Sequence, residues 1–513
     1  MIQKLSIALC FCLCTAIYSI AQPASTSAAA AATDTSANTK PEKYITKHSI
    51  KIDNKLINYT ATAGTLILKN DKDEPIASFG YTAYTKDGET DVDKRPIVFA
   101  YNGGPGSSSL WLHMGALGPR KVAIKDLSPA TPAPYKLEDN TNSILDVADI
   151  VMIDPVGTGL SHAIGKATNK DFWGVDGDIS SVSNFIKQYI NEFDRWNSPK
   201  YLLGESYGTM RSAGVANFLQ ERLGISVNGV ILVSVVLDLR QLTFAAGDDI
   251  SYILYLPTYA ATSLFHNKIA NKPANLTAFI KEVTDFAEGE YALALMKGDK
   301  LDAAEKDHIA SKISAYTGLN KDYVLKANLR VSEPQYTEEL LRNEHLTVGR
   351  LDSRFTGINQ RLTSEFSDYD PQSSAISPAY TATFLNYYYN ELKVNKNKNY
   401  HVSAYDAEGF KWEWKHNHGL WGNGVYPPNT GVDLAEAMSK NPNLKILVLN
   451  GYYDLATPFF GTEYTLDHLG LEKNIQSNIT MKYYEAGHMM YVHPESLIAF
   501  KKDVASFITN TNK

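Results

Sequence analysis

The chain has 513 residues, of which 44% are hydrophobic and 20% charged; it reads as an ordinary soluble globular chain, long enough for one large domain with insertions or for two domains. Its net charge of -7 leaves no electrostatic footprint for nucleic acid or anionic lipid. The 31 tyrosines fit either a large core or a cleft for peptides or ring-bearing ligands.

Residues 1–21 read as a signal peptide. Lys4 supplies the positive end, residues 5–20 the apolar core, and the small side chains of Ser19 and Ala21 permit cleavage near Ala21. The apolar run falls short of the roughly 20 residues that a spanning helix needs, so an exported protein, periplasmic or extracellular, with no membrane span after cleavage is expected. Leu9 before Cys10 argues against a lipoprotein. Cys10, Cys12 and Cys14 are the only cysteines. The mature chain is therefore expected to lack disulfides, a thiol nucleophile and cysteine metal sites. Residues 22–42, rich in Ala, Ser and Thr, cannot bury a core and read as a disordered linker.

From residue 43 the pattern changes. HSIKIDNKLINYTATAGTLIL and PIASFGYTAYT alternate apolar and polar side chains, as antiparallel strands solvated on one face would. RPIVFAYNGG, ILDVADIVMIDPVG, PKYLLGESYG, NGVILVSVVLD and LKILVLNGYYD are instead short, continuous apolar runs, the mark of buried parallel strands. Amphipathic segments such as GVDGDISSVSNFIKQYINEF separate them. The expectation is an α/β fold: a mostly parallel sheet with an N-terminal antiparallel hairpin, its functional groups at the carboxyl ends of the strands. Residues 239–378 carry helical patterns with no evident buried strand and read as a helical cap inserted between a first core part, 43–238, and a second, 379–513.

Chemistry-bearing residues fall at the strand ends. Gly204-Glu205-Ser206-Tyr207-Gly208 fits G-x-S-x-G between a strand and a helical segment, the context in which a serine sits on a sharp turn at a helix N-terminus. A serine nucleophile needs a base and an orienting acid. Asp454 follows the strand LKILVLNGYYD, and His488 follows another strand-like run in a Gly-His loop. Each alone also reads as an ordinary loop residue, but the order Ser, Asp, His at three strand ends is the order of α/β-hydrolases. Oxyanion donors would come from the Tyr207 N–H and from the small-residue loop Asn102-Gly103-Gly104-Pro105-Gly106, which lacks the G-K-[ST] ending of a phosphate loop. The segment 410–428, dense in Trp and His, reads as a buried contact between lid and core more readily than as pocket lining. His416 and His418, two residues apart, are poorly spaced for zinc, so no metal site is expected.

Together NGGPGSSS, GESYG, NGYYDLATPF and EAGHMMYVHP resemble the serine carboxypeptidases, a branch of the α/β-hydrolases, with LGP at 117–119 and DPVGTGLS at 154–161 in keeping. The resemblance runs from about Tyr44 to the C-terminus. It implies Ser206 as nucleophile, His488 as base and Asp454 as its partner, oxyanion donors at Gly104 and Tyr207, and no cofactor. It also implies peptide substrates with a free C-terminus, whose carboxylate Asn102 and Glu205 help to bind beside Gly103 and Met489, and activity favoured by acid. Two positions depart from the family pattern. Ser107 stands where a disulfide cysteine is usual, and Ala116 where many members have a glutamate bonded to the one before the nucleophile. His113 or Arg120 could stand in as a cation, or both could be plain surface side chains. The alternative is an esterase or acyltransferase using the same triad; nothing in the sequence favours a non-catalytic binding protein on this scaffold.

Overall fold

The computed structural model describes residues 40–418 and 427–512. The expected signal peptide and most of the linker lie outside the described residues; the linker's last residue, Glu42, is held, its carboxylate accepting from Lys398 Nζ at 2.6 Å. Among the described residues no helix is long and apolar enough to cross a membrane.

One sheet organises the molecule. In spatial order its strands are Lys43–Ile52, Lys55–Lys69, Pro75–Lys86, Asp149–Ile153, Ile97–Tyr101, Lys200–Ser206, Gly229–Val235, Lys445–Gly451 and Ile479–Tyr484. The first three form an antiparallel meander, and Pro75–Lys86 also runs antiparallel to Asp149–Ile153. From Asp149–Ile153 onward every pairing is parallel. All five apolar runs are strands of this parallel part, buried along nearly their whole length. Their neighbouring side chains alternate between two cores: Leu202, Leu232 and Val448 face one, Leu203, Ile231 and Leu449 the other. Helices Val175–Glu192, Tyr207–Leu223 and Gly431–Lys440 cover the first face, and Pro371–Asn390 and Pro494–Thr511 the second. This is the α/β-hydrolase arrangement.

The N-terminal meander differs from the one-sided expectation. The strand Lys43–Ile52 does alternate, but residues 77–84 are buried on both faces. Pro75–Lys86 lies between two other strands and so presents Phe79 and Tyr81 to one core and Tyr84 to the other.

Residues 239–378 are mainly helical, and an apolar cluster there that includes Leu254, Val283, Ile309 and Tyr336 reaches Tyr453 and Leu455. The segment also holds a short antiparallel pair, Leu346–Val348 with Thr356–Ile358, which the apolar pattern did not reveal because each strand is only three residues long. Pro378 lies inside the helix Pro371–Asn390.

Candidate active site

Ser206 ends the strand Lys200–Ser206 and immediately precedes the helix Tyr207–Leu223, with φ 61° and ψ -130°. Such left-handed backbone at a residue with a side chain costs on the order of 1–3 kcal/mol, and the flanking glycines explain how the turn fits. A Cβ on Gly204 would stand 2.1 Å from the Gly208 carbonyl oxygen, and one on Gly208 3.0 Å from that of Tyr101. The next strand is adapted to this turn: its register against Lys200–Ser206 slips at Ser234, which leaves the ladder at φ 51°. The Ser234 hydroxyl donates instead to the His488 carbonyl at 2.6 Å.

Asp454 follows Lys445–Gly451 and is fully buried. One carboxylate oxygen accepts the N–H groups of Ala456 and Thr457 at 2.8 and 2.9 Å. The other accepts the Thr457 hydroxyl at 2.7 Å and lies 2.8 Å from His488 Nδ1. With Asp454 accepting there, the proton belongs on Nδ1 and Nε2 is left as the basic nitrogen. Burial works against a charged His488, but the adjacent Asp454 and the charge of Glu205 outweigh it and raise its pKa above the usual value.

The cap braces this pair. The His488 N–H donates to the Leu351 carbonyl at 2.6 Å and that of Gly487 to Asp352 Oδ2 at 3.1 Å. The Leu455 N–H donates to the Arg350 carbonyl at 3.1 Å. Gly487 must be glycine here, since a Cβ would fall 2.4 Å from that of Asp352.

The glycine loop leaves Ile97–Tyr101 and meets the serine turn from the other side. A Cβ on Gly103 would lie 2.5 Å from the Tyr207 nitrogen. Asn102 donates to Glu205 Oε1 at 3.0 Å and accepts the Leu112 N–H at 3.0 Å. Its carbonyl takes a hydrogen bond from Arg211 at 2.7 Å. Arg211 is itself fully buried and paired with Asp178 at 2.7 Å, so a buried ion pair between two helices clamps the loop.

Ser206 and His488 border one cavity of about 470 Å³, as do Asn102, Gly103, Gly104, Glu205, Tyr207 and Met489. Cap residues Arg350, Leu351, Ser373 and Ile376 wall it as well. Glu205 is 3% exposed, and burial pushes its carboxyl up to about 7 against the contrary pull of His488 and Asn102. The Tyr491 hydroxyl faces Glu205, without a well-formed hydrogen bond to Oε2. Neither proposed cation reaches Glu205. His113 is not a surface side chain: it is buried against the Tyr84 hydroxyl at 2.5 Å, and burial holds its pKa down to about 3. Arg120 pairs with Asp139 and Glu391.

The Trp-rich segment divides. Trp412 is buried and meets the Tyr207 ring edge-on at 5.3 Å, whereas Trp414 lines the cavity. His416 is buried between Asp176 and Asp433, at 2.6 and 2.8 Å. Residues 419–426 of this segment lie outside the described residues. Sequence reasoning passed over Thr457, Ser234, Asp178, Arg211, Arg350 and Tyr491. The charged residues Asp178 and Arg211, each at a buried position of an amphipathic segment, were the one visible signal; the rest depends on which loops meet in space.

A family model described as serine carboxypeptidase matches residues 70–501. The pheromone-processing carboxypeptidase KEX1 of Ogataea parapolymorpha is 30% identical over 150 residues, 28% of this chain and 22% of that protein. Carboxypeptidase sxa2 of Schizosaccharomyces pombe is 28% identical over 147 residues, 28% of this chain and 27% of its own. The chain thus spans about a quarter of the length of these curated relatives. A crystal structure of Kex1(Δ)p, a prohormone-processing carboxypeptidase from Saccharomyces cerevisiae, is 16% identical with a TM-score of 0.56 over 88% of this chain and 91% of that one, a likeness of fold. The match of the family model over most of its length shows that this chain belongs to the serine carboxypeptidase family.

Proposed function

We propose that this protein is an exported serine carboxypeptidase that releases C-terminal residues from peptides through an acyl-enzyme. Ser206 Oγ attacks the scissile carbonyl while His488 Nε2 takes its proton, and Asp454 holds the imidazole and balances its charge. The N–H groups of Gly104 and Tyr207 receive the oxyanion. His488 then returns the proton to the leaving amine, and water repeats the sequence on the acyl-enzyme. Asn102 and a protonated Glu205 bind the terminal carboxylate, with Gly103 and Met489 beside them. The observation that carries the reading is a serine on a strained elbow sharing one cavity with an Asp-oriented histidine and a buried carboxyl raised to about 7.

The test is a matched pair of substrates, a blocked dipeptide with a free C-terminus and its amide. The free acid should be preferred, and Ser206→Ala should lose about a millionfold in kcat. Equal cleavage of acid and amide would remove the carboxypeptidase reading and leave the triad. Ala116 favours one second reading, an esterase or acyltransferase using the same triad. Faster turnover of simple acyl esters than of either peptide would select it. Export predicts a mature N-terminus near residue 22, read by sequencing the processed protein.

A further inference from the structure

The cavity over Ser206 carries a cation that the proposed reaction does not use. Apart from His488, Arg350 is the one basic side chain among the described residues that line it. Its backbone is fixed from both sides. The N–H donates to Asp370 Oδ2 at 2.7 Å, and the carbonyl accepts from Leu455, the residue after Asp454. A helix start and a triad loop therefore hold Arg350 at the rim of the chemistry.

The guanidinium is poorly matched by its surroundings. It borders the cavity with 51% of its side-chain surface accessible, and its ion partner is Glu333 at 3.9 Å. The other nearby acids are committed elsewhere. Asp454 is saturated by Thr457, Ala456 and His488, and Asp370 by the N–H groups of Ser373, Arg350 and Leu351. Glu333 is 8% exposed, and burial pushes it up to about 7, so toward acid it takes a proton and leaves Arg350 without a counter-charge. Of the other titratable groups facing Arg350, Tyr255 and Tyr405 remain neutral in that range, and His488, once protonated, is a second cation of the same cavity. A guanidinium fork in a partly desolvated cleft binds a carboxylate bidentately and more strongly than in open water.

We infer that Arg350 forms a subsite for an acidic side chain of the substrate, an Asp or Glu next to the scissile bond, so that the enzyme selects acidic peptides. This rests on the proposed peptidase reading, and its chemistry is shared with one other source of carboxylate, the peptide's own C-terminus. The experiment separates the two. Blocked dipeptides with Glu or Gln at each position flanking the scissile bond, plus C-terminal amides, are compared at about pH 5.5, where a peptide Glu is ionised.

The wild type should favour Glu over Gln about tenfold or more in kcat/KM at one of the two positions. Arg350→Gln should bring that ratio to about one, and Arg350→Lys should keep part of it, since the charge remains and the fork is lost. Raising salt should erode the wild-type ratio, a readout that requires no variant. A ratio near one in the wild type, or an unchanged ratio in Arg350→Gln, overturns the inference. So does a change confined to the acid-over-amide ratio, which would assign Arg350 to the terminal carboxylate. Should the wild type cleave none of the peptides, the peptidase reading fails separately. The acidic preference is then read from how well Glu and Gln peptides protect Ser206 from a fluorophosphonate, and equal protection overturns it.

Discussion

In the proposed reaction, carboxylate recognition turns on Glu205. Protonated, it donates to a terminal carboxylate; ionised, it repels one. Its pKa near 7 places that change inside the working range. As the proposed base, His488 would act in the opposite sense, because a base must be neutral and its pKa is raised. Both substrates of an acid–amide pair need His488 equally, so their ratio isolates Glu205. The acid-over-amide ratio in kcat/KM should be level below about pH 6 and fall by up to about tenfold per unit above 7; Glu205→Gln should flatten it. A ratio independent of pH in the wild type would show that Glu205 does not read the carboxylate. The Tyr491 hydroxyl pulls the Glu205 pKa down, so Tyr491→Phe should move the fall to higher pH rather than abolish it. No shift would mean that the tyrosine acts only by packing against the Gly115 turn.

Among the elements, the serine helix depends on a partner that the reaction never touches. Arg211 on Tyr207–Leu223 and Asp178 on Val175–Glu192 are both buried, and Arg211 also holds the Asn102 carbonyl. Removing one member strands a buried charge, which costs about 3–5 kcal/mol. Asp178→Ala should therefore lower the urea midpoint by that equivalent and, by freeing the glycine loop, reduce kcat. A loss under 1 kcal/mol would mean that water reaches the site. The sequence made the parallel strands plain because helices on both sides turn them into unbroken apolar runs. It also made the candidates Ser206 and Asp454 visible, because each sits where such a run stops, and His488, which follows the half-buried strand Ile479–Tyr484. The three-residue strands of the cap stayed hidden, being too short to show a period. Pro378 lies inside a helix that absorbs it at the loss of one hydrogen bond. Arg350 and Tyr491 stayed hidden for another reason: each meets the site only because separate loops converge in space, and no local spacing records that.

Across the whole molecule, buried titratable groups tie stability to pH. Asp154 follows the strand Asp149–Ile153, Glu205 lies at the serine turn and Glu333 starts the helix Glu333–Glu339, and burial raises each to about 7. In the unfolded chain such groups titrate near 4. Between about pH 4 and 7 the folded state thus keeps protons that the unfolded state releases, so each contribution is complete below about 4 and is lost as pH rises through 7. His113 opposes them. Held down to about 3, it stays neutral when folded while the unfolded chain charges below about 6.5, so its contribution grows as pH rises from 3 to 6.5. His416, raised to about 9 by its two carboxylates, adds stability that is lost as pH climbs from about 6.5 to 9. Surface carboxylates such as Glu74, lowered by Lys166, act in the opposite sense but are screened by solvent. Three buried acids against one buried neutral histidine decide the sign below 7, and His416 decides it above. The melting temperature should be higher at pH 5 than at pH 8. Asp154→Asn is the sharper probe, because it removes one buried charge while its neighbours, the Ser109 N–H and the Tyr400 hydroxyl, stay in place. Relative to wild type, this variant should gain stability from pH 5 to pH 8. If it loses ground instead, Asp154 is ionised in the folded state and its burial is compensated by those two donors.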